Sequence, residues 1–202
     1  MPDNKQNEIQ ERENYQFPDT PIEELENLRN VLEMLSGKIY LTSFADIVPS
    51  GNTPNPIIQK ILVDTGSTEL LIETIFQLYE GFKLIENNSE SLMNRVRKER
   101  ISDVFERLYI LLEKVVVGNQ QNKFYMSRWV DLFLEHSKNI NREYIQLCLV
   151  GILQNNPEAI EATINEEKIL SLIHRFYEEA SNKNNPELTT KYLRLFSTFI
   201  KC

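Results

Sequence analysis

A chain of 202 residues, 41% apolar with a net charge of −8, holds enough apolar mass for a core and for one domain or one elongated array. The negative balance repels phosphate backbones, which makes nucleic acid and anionic membranes poor default partners. Two cysteines, Cys148 and Cys202, form no disulfide framework and point to a reducing compartment; the start lacks an apolar signal core, and no apolar run of roughly 18 residues crosses a bilayer.

Residues 1–19 are polar, with Glu8, Glu11, Glu13 and Asn14, and read as a disordered arm. Thr20 is placed to cap a helix, with Pro21 at its first position and Glu23 completing a capping box. Ile22, Leu25, Leu28, Leu32 and Leu35 then recur at helical spacing, and Gly37 is expected to end the helix in a left-handed conformation. The apolar segment Ile39–Ile47 reads as further helix. Val48–Pro56 holds three prolines and a glycine and reads as a loop, from which Asn55-Pro56 opens a short helix with Ile57, Ile58, Ile61 and Leu62.

Asp64-Thr65-Gly66-Ser67 reads as a turn with Ser67 capping the next helix, whose Leu70, Leu71, Ile75, Leu78 and Tyr79 share one face. The triplet Asp-Thr-Gly also occurs in aspartic proteases, but those need a β-hairpin frame and a second carboxylate. Residues 87–94 are polar. From Arg95 a long helix carries Ile101, Val104, Phe105, Leu108, Leu111, Leu112, Val115 and Val116 and stops at Gly118. Further helices are expected over Phe124–Leu134, Tyr144–Leu153 and Pro157–Ile164. Another runs from Asn165 to about Ala180, a polar corner covers Ser181–Asn185, and Pro186 opens the last helix. The reading is all-α, about eight to ten helices in an armadillo-like right-handed superhelix with a weak internal period near ~40 residues.

Reactive centres are scarce. His136 and His174 lie in different helices, and each reads as a partly buried, hydrogen-bonded histidine. No His/Cys cluster has zinc spacing, and no Gly-rich phosphate loop or nucleophile elbow occurs. No cofactor, metal or catalytic residue is expected, and the chain reads as a non-enzyme. Arg95, Arg97, Lys98 and Arg100 form one basic run, either a solvated helix start or a contact for phosphate or an acidic partner. Cations at a helix N-terminus oppose its dipole, which favours a loop or a use for the charge. Tyr125, Arg128 and Trp129, at i, i+3 and i+4, are either core packing or a partner interface.

The corner Gly118-Asn119-Gln120-Gln121-Asn122, the aromatic helix Phe124–Trp129, the stretch Leu147–Ile169 and the Ile75-Phe76-Gln77-Leu78 segment together resemble the RIH domain of ryanodine and inositol-trisphosphate receptors. The corner is closer to the ryanodine-receptor version. The resemblance spans roughly Leu28–Lys201, which suggests one domain over 20–202. It implies a cytosolic helical module of a calcium-release channel of the endoplasmic reticulum, contributing to gating through contacts with neighbouring channel domains. In inositol-trisphosphate receptors such a module helps to hold the ligand through basic residues. The positions matched here are Asn119, Gln120 and Gln121, and an earlier set near Lys60, Asp64 and Ser67, which together offer one cation. Several phosphate charges require charge-assisted donors, so tight inositol-trisphosphate binding is not expected. The alternatives are an armadillo-like adaptor unrelated to calcium, or an inositol-phosphate sensor using the Arg95–Arg100 run.

Overall fold

The structure is a computed structural model that describes residues 21–40, 53–86, 91–140, 143–182 and 186–200. Every regular element among these residues is helical, as expected for an all-α chain. The helices are α1 (Ile22–Lys38), α2 (Pro56–Asp64), α3 (Ser67–Glu86), α4 (Leu92–Val116), α5 (Gln120–Met126), α6 (Val130–Asn139), α7 (Glu143–Leu153), α8 (Pro157–Thr163), α9 (Glu166–Asn182) and α10 (Pro186–Phe199). A single 3-10 turn, Ser127–Trp129, joins α5 to α6. No described helix is long and apolar enough to cross a membrane.

The 25-residue α4 is the axis of the packing. It lies against α1, α3 and α7, and α7 in turn carries α6 and α10. Its buried stripe of Ile101, Val104, Phe105, Leu108, Tyr109, Leu111, Leu112, Val115 and Val116 is too wide for one partner, which is why helices cover it on several sides. Helix α7 buries Ile145, Cys148, Leu149, Val150, Ile152 and Leu153, close to a full circumference. Each such side chain stabilises the fold by about 1.5–3 kcal/mol relative to exposure. Helix α9 is less deeply seated: Leu172 is buried, whereas Leu170, Ile173 and Tyr177 face solvent.

Several helix ends follow the sequence. The Asn55 side chain accepts from Ile57 N, with Pro56 at the first helical position, and Asn165 Oδ1 accepts from Lys168 N. Gly118, at φ 72°, turns the chain after α4.

Other ends differ. Pro21 occupies the cap position (φ −57°, ψ 141°), so Ile22 is the first helical residue; Thr20 lies outside the described residues. Pro21 still serves, because its carbonyl accepts from Glu24 N and Leu25 N. Gly37 does not end α1 in a left-handed turn. The helix continues through Lys38, and Ile39 closes it in right-handed geometry. Ile39 and Tyr40 complete that turn, and 41–52, which covers most of the expected helix and loop, lies outside the described residues. Ser67 is already helical rather than a cap: Gly66, at φ 71°, makes the entry, and the Ser67 hydroxyl meets Thr65 Oγ1 at 2.8 Å. Helix α4 starts at Leu92, three residues before Arg95. The expected helix Phe124–Leu134 is two helices with a 3-10 turn between them. Helix α9 absorbs Ser181 and Asn182, which had read as corner.

Candidate functional site

The asparagine and glutamine corner after α4 is a bracket of amides. Gln59, buried on α2, donates through Nε2 to the carbonyls of Lys114 and Val117, both at 2.8 Å. These carbonyls belong to the last turn of α4 and its exit, where no intrahelical donor remains. Asn119 Nδ2 donates to Gln59 Oε1 at 3.3 Å, while Asn119 Oδ1 caps α5 by accepting from Asn122 N at 3.1 Å. Asn122 is buried and donates to Val115 O (2.9 Å) and Gln59 O (3.3 Å). A second set ties α5 to the α7–α8 corner. Gln120 Nε2 donates to Asn156 Oδ1 at 3.0 Å, and Lys123 Nζ donates to Gln154 O at 2.6 Å. Buried Asn156 donates to Ile152 O and caps α8 through Ala159 N. Residues that read from sequence as joints therefore hold five helices in one register. Gln59 gave no signal beyond its place between Ile58 and Lys60; a polar residue on the core face of a short helix was the available clue.

The bracket positions the cluster of Tyr125, Arg128 and Trp129. The structure brings all three together. Ser127 Oγ donates to Phe124 O at 2.6 Å, and Arg128 Nε donates to Tyr125 O at 3.1 Å. Side-chain donors thus take the last carbonyls of α5 and draw the chain into a 3-10 turn. Three residues per turn set Arg128 directly over Tyr125. Its guanidinium carbon lies 4.0 Å from the Tyr125 ring centroid and 5.1 Å from that of Trp129. The two rings meet edge to face at 5.4 Å. Tyr125 and Trp129 pack partly on the core, Arg128 is exposed, and Phe124, four residues before it, is 51% exposed.

The basic run is helical rather than a loop, since Arg95, Arg97, Lys98 and Arg100 occupy the first turns of α4. Arg100 pairs with Glu26 of α1 at 3.0 Å and with Asp103 at 3.8 Å. Lys98 Nζ lies 4.8 Å from the Phe82 ring centroid. Arg97 Nε is buried with no hydrogen-bond partner, and Arg95 is exposed. The charge therefore serves in part to hold α1 and α3 on α4. Lys60 pairs with Asp64 at 2.7 Å on α2, beside the far end of α4, where its neighbour Gln59 binds Lys114 O. At 1.5 Å rise per residue that end is about 20 Å from Arg100. Lys60 and the run do not share a site.

The two histidines separate. His174 is exposed, not partly buried: its residue is on the outer face of α9, 3.4 Å from Glu178 Oε1. His136 is buried, with Nδ1 2.5 Å from Tyr109 Oη and its ring 4.0 Å from that of Tyr79. Burial, aided by the Lys83 charge, lowers its pKa to about 4. Cys148 is buried and carries no disulfide, and burial pushes its thiol well above the usual range; Cys202 lies outside the described residues. Among the described residues no group of His, Cys, Asp and Glu is placed to hold a metal.

A family model, that of the RIH domain, matches residues 52–199, more than half of the chain. No curated protein and no solved structure matches.

Proposed function

The chain belongs to the RIH domain family, and on that premise we propose that it is a non-catalytic regulatory module of an intracellular calcium-release channel, contributing to gating through contacts with neighbouring domains. The observation that carries the reading is the family match over 52–199. The place of action is the cytoplasm, on the cytosolic face of the endoplasmic reticulum. The helices stack as an armadillo-like right-handed superhelix, and the amide bracket keeps α2, α4, α5, α7 and α8 moving as one body. A rigid body of that kind transmits tilt from one neighbour to another.

The contact surface in this proposal centres on Tyr125, Arg128 and Trp129. Tyr, Trp and Arg carry most of the binding energy at protein interfaces, and here the fold supplies them already assembled. The test is release of calcium from internal stores, imaged in cells that carry Arg128→Gln with Tyr125→Ala in the full-length protein. The expected result is an altered release threshold at unchanged protein level. Release that matches the unsubstituted protein across the stimulus range sinks the gating role.

A further inference from the structure

We propose that the Arg128 guanidinium is the receptor for a carboxylate of a peptide segment whose adjacent apolar side chain rests on Phe124. This rests on the interface reading of the Tyr125, Arg128 and Trp129 cluster and names the chemistry of its partner.

Three observations lead there. First, Arg128 is fixed. Its carbon lies over the Tyr125 and Trp129 rings and its Nε donates to the Tyr125 carbonyl, which leaves both terminal nitrogens to meet a partner. Those nitrogens form a planar fork that matches the two oxygens of a carboxylate. Side-chain freedom already lost in the free protein is not lost again on binding.

Second, the fork has no acid of its own among the described residues. The nearest carboxylate in sequence, Asp131, is engaged by Lys168 of α9 at 2.5 Å. An exposed guanidinium whose neighbouring acid is already engaged offers its charge to an acidic partner.

Third, neighbouring cations are engaged elsewhere, Lys168 with Asp131. Another, Lys123, turns inward to Gln154 O at 2.6 Å, and burial lowers its pKa. A phosphate carries close to two charges and binds best between several cations, whereas one guanidinium matches one carboxylate. Phe124, 51% exposed and one helical turn before Arg128 in the chain, supplies the apolar surface. The fitting partner is a peptide that presents Asp or Glu beside a leucine-like or aromatic residue.

The experiment is a paired selection from a random peptide-display library on the full chain and on its Arg128→Gln variant, followed by titration of the peptides recovered. Arg128 is exposed, so Arg128→Gln folds, and an unchanged circular dichroism melt checks this. The proposal expects peptides enriched on the unsubstituted chain and lost on the variant, with an acid next to an apolar residue in common. Trp129, the sole tryptophan, then reports binding directly. Its emission is expected to shift saturably with the acidic peptide. The isosteric Gln or Asn peptide is expected to bind at least tenfold more weakly, as are Arg128→Lys and Phe124→Ala with the acidic peptide. Peptides that need the patch but carry no acid overturn the carboxylate and leave the interface reading standing. Recovery that is equal on both chains, with Trp129 emission unmoved, overturns both.

Discussion

Tyr109 Oη and His136 Nδ1 lie 2.5 Å apart in the core, one on α4 and one on α6. Burial holds the phenol well above its ordinary pKa, so it keeps its proton, and it shares one hydrogen bond with the imidazole nitrogen whose direction follows the histidine tautomer. His136 Nε2 is buried without a hydrogen-bond partner, and the rings of Tyr79 and Phe105 pack around the imidazole. A neutral histidine suits this setting; a charged one does not.

The pair makes stability depend on pH. The folded pKa of His136 is lowered to about 4, against an ordinary value of about 6.5 in the unfolded chain. Above the unfolded value both states are neutral and the full stability is present. As pH falls towards the folded value, the unfolded chain takes up a proton that the fold refuses, and stability drops by up to roughly 3 kcal/mol. Urea midpoints measured between pH 7 and 4 are expected to fall, and His136→Gln is expected to remove most of His136's share of that slope. Equal slopes for both proteins would discard the assignment.

The amide bracket predicts large losses from small polar changes. Gln59→Leu keeps the apolar stem but strips the donors from Lys114 O and Val117 O, and from Asn119 its acceptor. Leaving buried carbonyls unpaired costs about 2–3 kcal/mol. Asn122→Ala, which frees Val115 O and Gln59 O, is expected to cost a similar amount. Because Asn122 donates to the Gln59 carbonyl and both side chains hold α2 and α5 to the end of α4, the double variant is expected to lose less than the sum. Chemical denaturation of the four proteins measures this, and strict additivity would mean that the bracket is not a unit.

How much of this could be read from the residues varies by element. Helix α4 was legible because burial writes itself into apolar spacing, and α7 because it is a nearly unbroken apolar run of helical length. Asn55 and Gly118 were legible because caps and left-handed turns need particular residues. The 3-10 break at Ser127–Trp129 was not. It arises from the Ser127 and Arg128 side chains competing for α5 carbonyls, a choice that leaves no mark on hydrophobic period. The same holds for the site. The spacing of Tyr125, Arg128 and Trp129 put them on one face, but the stacking depends on that break. The link from Gln59 to Lys114 joins residues 55 positions apart, and no local pattern encodes it.

Two glycines give opposite expectations. Gly37 has ordinary helical geometry inside α1, and an added Cβ there meets nothing within 4 Å. Gly37→Ala is therefore expected to stabilise the protein by about 0.5–1 kcal/mol through helix propensity and a less flexible unfolded chain. Gly118 is equally open but sits at φ 72°. Gly118→Ala forces a side chain into left-handed backbone and is expected to cost about 1–2 kcal/mol, with Asn tolerated better. Melting temperatures of the three variants decide the matter; a rise for Gly118→Ala would contradict the backbone argument.

Inositol trisphosphate is expected not to bind tightly, and the structure supplies reasons besides the sequence. The resemblance aligns the ligand-holding corner with Asn119, Gln120 and Gln121. Asn119 and Gln120 spend their amides inside the bracket, on Gln59 and Asn156. Neutral amides cannot replace the charge-assisted donors that several phosphates require. The cations of α4 are partly occupied, with Arg100 on Glu26 and Lys98 against Phe82. Lys60 pairs with Asp64 at the other end of the helix, about 20 Å from Arg100. Gathering these groups around one ligand would require breaking the Arg100 contact that holds α1 to α4. Isothermal titration of the full chain with inositol trisphosphate is expected to show no saturable heat below millimolar concentration, and Arg95→Gln to leave the trace unchanged. A micromolar dissociation constant that Arg95→Gln abolishes would instead make the α4 run a phosphate site.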